Sequence, residues 1–243
     1  MRELRRFFEE DTLEPVAVEL GFGRLGANDD VADDRLESSA DLSSLGQGVG
    51  AVQLDLAGGR TVRFGGSVDR IDLGPAQSLV VSDYKTGRET ATTALKRDPV
   101  AGGKKLQLAL YALAAKAYRA LDGPVHARYW FTGWNRDDQT LSCTVDEAVI
   151  DRLREVVSTI ADGIDAGVFP GVPGDVTYRP GRVSFENCVY CDFDRLCPTD
   201  RDRRWSMVRV EPTVAPVVAL HETPSDDLLG VVRSLPANLE ETR

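Results

Sequence analysis

Three charged residues of this 243-residue chain have types and spacing that suit phosphate chemistry. Asp83 and Lys85 follow the apolar run Leu79–Val81, and residues two apart in a strand project from the same face. Asp69 lies on the preceding predicted strand and meets this pair if the two strands are neighbours. Two carboxylates offer oxygen ligands to a hard divalent cation, with Mg²⁺ or Mn²⁺ favoured. The Lys85 ammonium group is placed to activate water or to neutralise charge that builds on a phosphate.

Glu19, on a separate predicted strand, is a candidate third oxygen ligand. Alternation along that strand predicts one face formed by Val16, Val18 and Leu20. The alternative interpretation of the charged residues is a solvent-facing hairpin with a surface ion pair, because Asp-x-Lys tripeptides are common on exposed strands. The apolar run Leu79–Val81 favours a functional site instead, because a buried strand followed directly by charged residues is typical of a strand that ends at such a site.

The elements that position these residues follow from periodicity and turn signals. Strands are predicted over 15–22, 51–56, 61–72, 78–85, 125–132 and 139–145, and helices over 104–121 and 146–167. This order predicts an α+β or α/β fold with a central mixed sheet flanked by helices. The sequence also predicts the end of a helix over 1–14, an acidic solvated loop over 23–48 and a flexible tail over 206–243.

Three of the four cysteines form a cluster near the end of the chain, at Cys188, Cys191 and Cys197. Thiolates at this spacing can bind one metal ion or one cluster iron, and the third completes most of a coordination shell. A zinc site with a further ligand and three unligated reduced thiols both remain open. Cys143 lies in a predicted strand and is predicted to be a small core residue.

Composition excludes several classes of protein. Hydrophobic residues make up 42% and charged residues 28% of the chain, which is typical of a globular protein. No run approaches the roughly 20 apolar residues of a membrane span, and the N-terminus lacks the apolar core of a signal peptide. With so few cysteines, these features predict a cytoplasmic protein in a reducing compartment, without a membrane partner.

The formal charge of −10 argues against coating nucleic acid by bulk charge and leaves only local basic groups for phosphate contact. One group follows the Asp83–Lys85 strand and comprises Arg88, Lys96, Arg97, Lys104 and Lys105. A second follows the cysteines and comprises Arg195, Arg201, Arg203 and Arg204, with Trp205 as an aromatic able to stack on a base. Ordinary solvated surface is the alternative interpretation of each group.

Four motifs in this order resemble the PD-(D/E)XK nuclease superfamily, in its RecB-like branch. That branch includes the nuclease domains of AddB-type helicase–nucleases and the Cas4 nucleases. The motifs are GGSVDRID (65–72), VVSDYKTG (80–87), KKLQLALYA (104–112) and CVYCDFDRLC (188–197). The resemblance implies a restriction-endonuclease-like core in a nuclease-like domain over 1–205, with a C-terminal cysteine-cluster segment.

The resemblance also implies roles for single residues. Asp69 and Asp83 resemble the metal-binding acids, and Lys85 resembles the catalytic lysine. Gln107 and Tyr111 match the Gln-x-x-x-Tyr element of this branch. They are four apart on a predicted helix and share a face, where they can steer a DNA strand or hydrogen-bond the surroundings of Lys85. Glu19 extends the match toward the N-terminus.

Cofactors and partners follow from the same resemblance. It implies a [4Fe–4S] cluster held by Cys188, Cys191 and Cys197, with a fourth cysteine upstream, but no cysteine precedes Cys143. This departure predicts a truncated domain, or one whose first part comes from another chain. The implied activity is metal-dependent exonuclease cleavage of DNA, at single-stranded ends, beside a helicase subunit or domain. The alternatives are a non-cleaving iron–sulfur module that binds DNA or a helicase, and a Cas4-like nuclease.

Overall fold

The structure is a computed structural model, and it describes most of the chain. The described residues are 13–23, 49–86, 95, 97–132, 140–179, 182–222 and 232–233. The predicted helix over 1–14 and the predicted loop over 23–48 lie outside these ranges, apart from their end residues. Arg88 and Lys96 of the first basic group also lie outside them.

The chain forms two compact units, Met1–Val156 with Pro224–Arg243, and Val157–Thr223. The predicted boundary between a domain over 1–205 and a tail over 206–243 stays a prediction. None of the described helices is long and apolar enough to cross a membrane.

The predicted strands and the two long helices are present, with ends that differ by a few residues. In chain order the strands are β1 (Glu14–Phe22), β2 (Val52–Asp55), β3 (Thr61–Phe64), β4 (Gly66–Leu73), β5 (Leu79–Lys85), β6 (Val125–Phe131), β7 (Thr140–Thr144), β8 (Val176–Arg179), β9 (Arg182–Phe185) and β10 (Val232–Arg233). The α-helices are α1 (Gln107–Arg119), α2 (Glu147–Asp165), α3 (Arg201–Val208) and α4 (Ala215–Glu222). Single 3₁₀ turns lie at Ala57–Gly59, Pro75–Gln77, Ala101–Gly103 and Glu186–Cys188.

A mixed sheet forms the centre of the first unit. Its strand order is β1-β4-β5-β6-β7, and the two-residue β10 pairs with β7 at the edge. The β5/β6 pair is parallel, whereas the other neighbours are antiparallel. A parallel pair needs a crossover connection, which α1 provides while it packs on β5 and β6. This sheet with its helices confirms the predicted α+β class.

The core lies between α1 and the two central strands. Leu79, Val80 and Val81 of β5 are at most 1% exposed, as the apolar run predicted, and every residue of β6 is buried. The buried face of α1 is mostly alanine, for example Ala112 and Ala115. Small side chains let the helix backbone approach the sheet closely, which fixes the start of α1 near the end of β5.

The predicted side-chain alternation of β1 is wrong at Val18. Leu20 is 4% exposed, but Val18 is 64% exposed and points to solvent. Two irregularities of β1 accompany this difference. The pairing with β4 shifts register between Pro15 and Ala17, and the φ of Glu19, 48°, lies in the left-handed region. Side chains along such an irregular strand do not follow strict alternation. For a residue with a Cβ atom, the left-handed conformation is unfavourable by roughly 1 kcal/mol or more.

The single strand predicted over 61–72 is in fact two strands that belong to different sheets. β3 pairs with β2 in a separate two-stranded sheet, and β4 joins the central sheet. The break lies at Gly65, where a Cβ would come within 3.0 Å of the Gly23 carbonyl oxygen. The chain crosses the end of β1 there, and two glycines permit the close approach of the two backbones.

The second unit contains the end of α2, the β8/β9 hairpin, the cysteine segment, α3 and α4. In the hairpin, Tyr178 lies opposite Val183, and both are exposed. The helix α4 falls within the region 206–243, where Val214, Val218 and Leu220 are buried. These three side chains supply the apolar contacts that order a short helix.

We expect Gly123→Ala to destabilise the fold by about 2 kcal/mol or more, because overpacking against backbone cannot relax easily. A Cβ at Gly123 would lie 2.2 Å from the carbonyl oxygen of Gln77. Urea denaturation measures the change. Gly50→Ala is the matched control, since nothing lies within 4 Å of a Cβ at that position. Equal denaturation midpoints for the two variants would contradict the described packing.

Candidate active site

Asp69 and Asp83 occupy matching positions on the neighbouring antiparallel strands β4 and β5. The paired residues of the two strands end with Arg70 opposite Ser82, and the two aspartates come next on each strand. Residues opposite each other in an antiparallel pair project from the same face, with Cβ atoms about 5 Å apart. The fold therefore brings the two predicted metal-binding acids together. Like charges in this arrangement repel each other unless cations compensate them.

Glu19 lies at the same level on the next strand, β1. The residue before it, Val18, is opposite Arg70, so Glu19 is level with Asp69. Its side chain is exposed, and its Oε2 atom accepts a hydrogen bond from the Ser67 hydroxyl at 3.4 Å. The three acids lie level on the neighbouring strands β1, β4 and β5 and are here called the carboxylate row, but within the described ranges their side chains do not come close enough together to hold one metal ion. The role of Glu19 as a third ligand stays a prediction.

A backbone group fixes the first of the two central acids. The Tyr84 N–H donates to Oδ2 of Asp69 at 2.8 Å. This donor is available because the β4/β5 pairing ends at Ser82, two residues earlier. The Tyr84 ring lies on the other face of the sheet, tilted against the Trp130 ring with centroids 5.2 Å apart. Sequence reasoning missed this contact, because it depends on where the strand pairing stops.

Lys85 connects the carboxylate row to helix α1. Its Nζ atom lies 2.5 Å from Oδ2 of Asp83 and donates to Oε1 of Gln107 at 3.1 Å. It also lies 5.2 Å from the centre of the Tyr129 ring, within cation–π range. The side chain of Lys85 is 26% exposed, while that of Asp83 is 3% exposed. The ammonium group therefore faces the solvent side of a buried carboxylate, as the shared strand face predicted.

Helix α1 orients the lysine through a second hydrogen bond. Gln107 Nε2 donates to the Tyr111 hydroxyl at 3.3 Å, so the two residues share a helix face as predicted. The Tyr111 ring meets the Phe22 ring edge to face, with centroids 6.0 Å apart. Burial raises the pKa of Tyr111, and the nearby Asp83 carboxylate raises it further. The hydroxyl therefore stays protonated and holds the Gln107 amide with its oxygen toward Lys85.

The buried position of Asp83 disfavours its ionised form. Burial raises the pKa of Asp83, the Lys85 ammonium lowers it, and the Asp69 carboxylate raises it again, with a net increase. Because the folded pKa lies above the unfolded one, stability present below the unfolded pKa is lost as the pH rises through the folded pKa. At neutral pH the ionised Asp83 therefore costs folding free energy.

The two facing acids fit a divalent cation. Oδ2 of Asp83 is buried, and in the described part of the chain it accepts no hydrogen bond of good geometry, despite its ion pair with Lys85. A buried oxygen with unused lone pairs beside a second carboxylate suits Mg²⁺ or Mn²⁺. Asp69 and Asp83 would hold such an ion. Across the described ranges, no three His, Cys, Asp or Glu side chains lie close enough together to hold a metal.

The predicted cysteine cluster lies in the second unit. All three thiols are free and line one cavity of about 320 Å³. They do not form a close ligand set among the described residues. The cavity also contains Arg201, whose Nη1 atom lies 2.5 Å from Oδ1 of Asp194. Iron–sulfur binding stays a prediction.

Cys143 and His126 belong to the first unit. Cys143 is buried in β7, where desolvation raises the pKa of its thiol to about 12, as suits the predicted core residue. His126 is buried in β6, and its ring Nδ1 lies 3.0 Å from the Thr144 hydroxyl. Neither residue adds a ligand to the carboxylate row.

A family comparison agrees with this geometry. A model of the PD-(D/E)XK nuclease superfamily matches residues 1–198. The chain belongs to the PD-(D/E)XK nuclease superfamily. Membership agrees with the restriction-endonuclease-like α+β core, and it identifies a metal-dependent nuclease as the general class of the protein.

Comparison with individual proteins adds little to this superfamily assignment. No curated protein matches the chain. One similar solved structure, described as "Crystal structure of SSO0001", is 20% identical, with a TM-score of 0.31. The match covers 61% of this chain and 56% of that one.

We expect Mg²⁺ or Mn²⁺ to raise the melting temperature of the parent chain, because a bound cation removes the repulsion between Asp69 and Asp83. Stabilisation should approach about 2.7 kcal/mol at a metal concentration one hundred times Kd. Asp69→Asn and Asp83→Asn should abolish most of this shift in a thermal melt. Asp55→Asn, at an exposed position of β2, is the control and should keep it. The same shift in all four proteins would exclude a metal site at the two acids.

Proposed function

We propose that this chain is a divalent-metal-dependent DNA exonuclease domain of RecB/AddB type, which hydrolyses phosphodiester bonds at single-stranded ends during repair and recombination. The observation that supports the proposal most strongly is the joined set of Asp69, Asp83 and Lys85, with Gln107 and Tyr111 behind the lysine. The superfamily supplies the nuclease class. The RecB-like motifs supply the subtype and the expectation of a helicase subunit or domain as partner.

The roles of the side chains follow from their contacts. When bound, a divalent cation supplies activation of water and neutralisation of charge on the scissile phosphate. Asp83 and Asp69 would hold the ion through carboxylate oxygens, and the Tyr84 N–H keeps one Asp69 oxygen fixed. A bound ion would favour the ionised form of Asp83 more than that of Asp69, because Asp83 is buried and Asp69 is only half-buried.

Lys85 stabilises the negative charge that builds on the phosphate oxygens, or it helps to deprotonate the attacking water. The ion pair with Asp83 and the hydrogen bond to Gln107 restrict the ammonium group before substrate arrives. Such preorganised donors lower the barrier because little reorganisation is needed during the reaction. The Tyr111 hydroxyl contributes by holding the Gln107 amide.

A second candidate is a module that binds DNA or a helicase without cutting. The observation that favours it is that the described residues bring two carboxylates together rather than three. A Cas4-like nuclease, acting on other nucleic-acid ends, is a further alternative with the same site. Substrate choice depends on loops and partners rather than on the shared motif.

The cleavage assay uses a labelled single-stranded oligonucleotide with Mg²⁺ or Mn²⁺. We expect Asp83→Ala and Lys85→Ala each to lower kcat by roughly a hundredfold or more, while Asp55→Asn cuts like the parent. A circular single strand should resist, because an exonuclease needs an end. Variants that cut as fast as the parent would end the assignment. Binding of the oligonucleotide without any cutting, even with Mn²⁺, would favour the non-cleaving module.

We further propose that Cys188, Cys191 and Cys197 hold a metal–thiolate centre, a [4Fe–4S] cluster or, alternatively, zinc. The support is that all three thiols line one cavity, and that thiolates select these metals over Mg²⁺. No catalytic step is assigned to this centre.

Metal analysis and visible absorbance of the purified protein test the thiolate centre. We expect bound iron with sulfide, or bound zinc, and loss of most of the metal in Cys188→Ala, Cys191→Ala or Cys197→Ala. Cys143→Ala is the control and should keep the metal, because that thiol is buried in β7. Parent protein free of iron and zinc after anaerobic purification would contradict the proposal.

A further inference from the structure

A buried acid outside the carboxylate row organises the connection between β5 and α1. Asp98 is 6% exposed, and its two oxygens accept four N–H donors. The backbone N–H groups of Val100 and Gly102 donate at 3.0 Å each. Nε and Nη2 of Arg152 donate to Oδ2 at 3.2 and 2.9 Å. A carboxylate with this many donors is fixed in place.

The partner on α2 is equally restricted. Arg152 is 8% exposed, and its third nitrogen, Nη1, donates to Glu155 at 2.8 Å. Burial lowers the pKa of Arg152, but the bonds to Asp98 and Glu155 raise it by more. The attraction within a buried ion pair offsets the free-energy cost of desolvation only when the charged groups also have hydrogen-bond partners. Asp98 and Arg152 have such partners, so the pair fixes one geometry of the chain around it.

The pair holds a turn with an unusual backbone. Ala101, Gly102 and Gly103 have φ angles of 47°, 60° and 94°, which are three consecutive left-handed residues. For alanine this conformation is unfavourable, so it persists only where surrounding contacts impose it. The Lys105 N–H then donates to the Val100 carbonyl at 3.1 Å. The direction in which the chain enters α1 is thereby set.

The turn leads directly to the carboxylate row. Lys105 is half-buried and comes two residues before Gln107, which accepts the hydrogen bond from Lys85. Burial raises the pKa of Asp83, and the positive charge of Lys105 acts in the opposite direction. A DNA strand approaching a row of acids is repelled by them. A cation at the start of α1, two residues before the Gln107 that binds Lys85, offsets this repulsion and offers a phosphate contact.

On the basis of the proposed function, we propose that Lys105 binds a backbone phosphate of the DNA strand engaged at the carboxylate row. Asp98 and Arg152 are positioning residues, which hold Lys105 there through the turn Ala101–Gly103. This contact strengthens binding of the DNA strand and fixes its position along the site. It takes no part in the hydrolytic step.

The first test measures binding of a single-stranded oligonucleotide in EDTA, where no metal-dependent hydrolysis proceeds. Lys105→Ala should weaken binding about threefold to tenfold at low salt and reduce the slope of log Kd against log salt by about 0.7, the value of one phosphate contact. Lys116→Ala removes the same charge from the exposed far end of α1 and should change neither quantity. In cleavage assays, Lys105→Ala should raise KM with little change in kcat. Identical slopes for the two lysine variants would overturn the proposal.

The second test concerns the positioning residues. Arg152→Gln and Asp98→Asn should reduce the salt slope as Lys105→Ala does, and combining either with Lys105→Ala should reduce it no further. Circular dichroism identifies the folded variants that are compared. A merely structural pair would lower the melting temperature and leave the slope of the folded protein unchanged, which would overturn the positioning role.

Failure of this inference is distinct from failure of the proposed function. A parent chain that cuts DNA while Lys105→Ala matches it in slope and KM refutes only the Lys105 contact. A parent chain that neither binds nor cuts DNA refutes the proposed function, and with it the assignment of Lys105.

Discussion

Repulsion between two carboxylates on neighbouring strands is the constraint on which the site depends. Asp69 and Asp83 face each other where the β4/β5 pairing ends, and this arrangement is unfavourable without compensation. The Lys85 ammonium and the Tyr84 N–H supply part of that compensation inside the chain. The fold thus holds an uncompensated electrostatic cost at the ends of these strands, which a divalent cation bound between the two acids would relieve.

The parallel pair at the centre of the sheet explains why the site lies where it does. A crossover helix must begin near the end of β5, so the residues at the start of α1 arrive beside the last residues of the strand. Gln107 uses this position to meet Lys85, and the Phe22–Tyr111 contact fixes the helix against β1. The small side chains on the inner face of α1 permit the close approach. The close packing of α1 on the sheet therefore also determines the position of Gln107 beside Lys85.

The side-chain periodicity of strands and helices was sufficient to predict part of the site. Strand alternation gives the shared face of Asp83 and Lys85, and the helix period gives that of Gln107 and Tyr111, because neither depends on distant residues. The register shift of β1 and the left-handed backbone at Glu19 carry no such signal, so the predicted orientation of Val18 is wrong. The Tyr84 contact depends on where the strand pairing ends. The Asp98–Arg152 bond joins residues 54 positions apart, and only the tertiary fold brings them together.

The backbone at Glu19 separates two demands that most strand positions combine. Glycine is the residue that this left-handed conformation tolerates best, yet glycine has no carboxylate to offer. Folding alone would favour one residue type at this position, and chemistry at the row would favour another. Replacing Glu19 by glycine would therefore relieve the backbone at this point of the strand and remove the carboxylate in the same change.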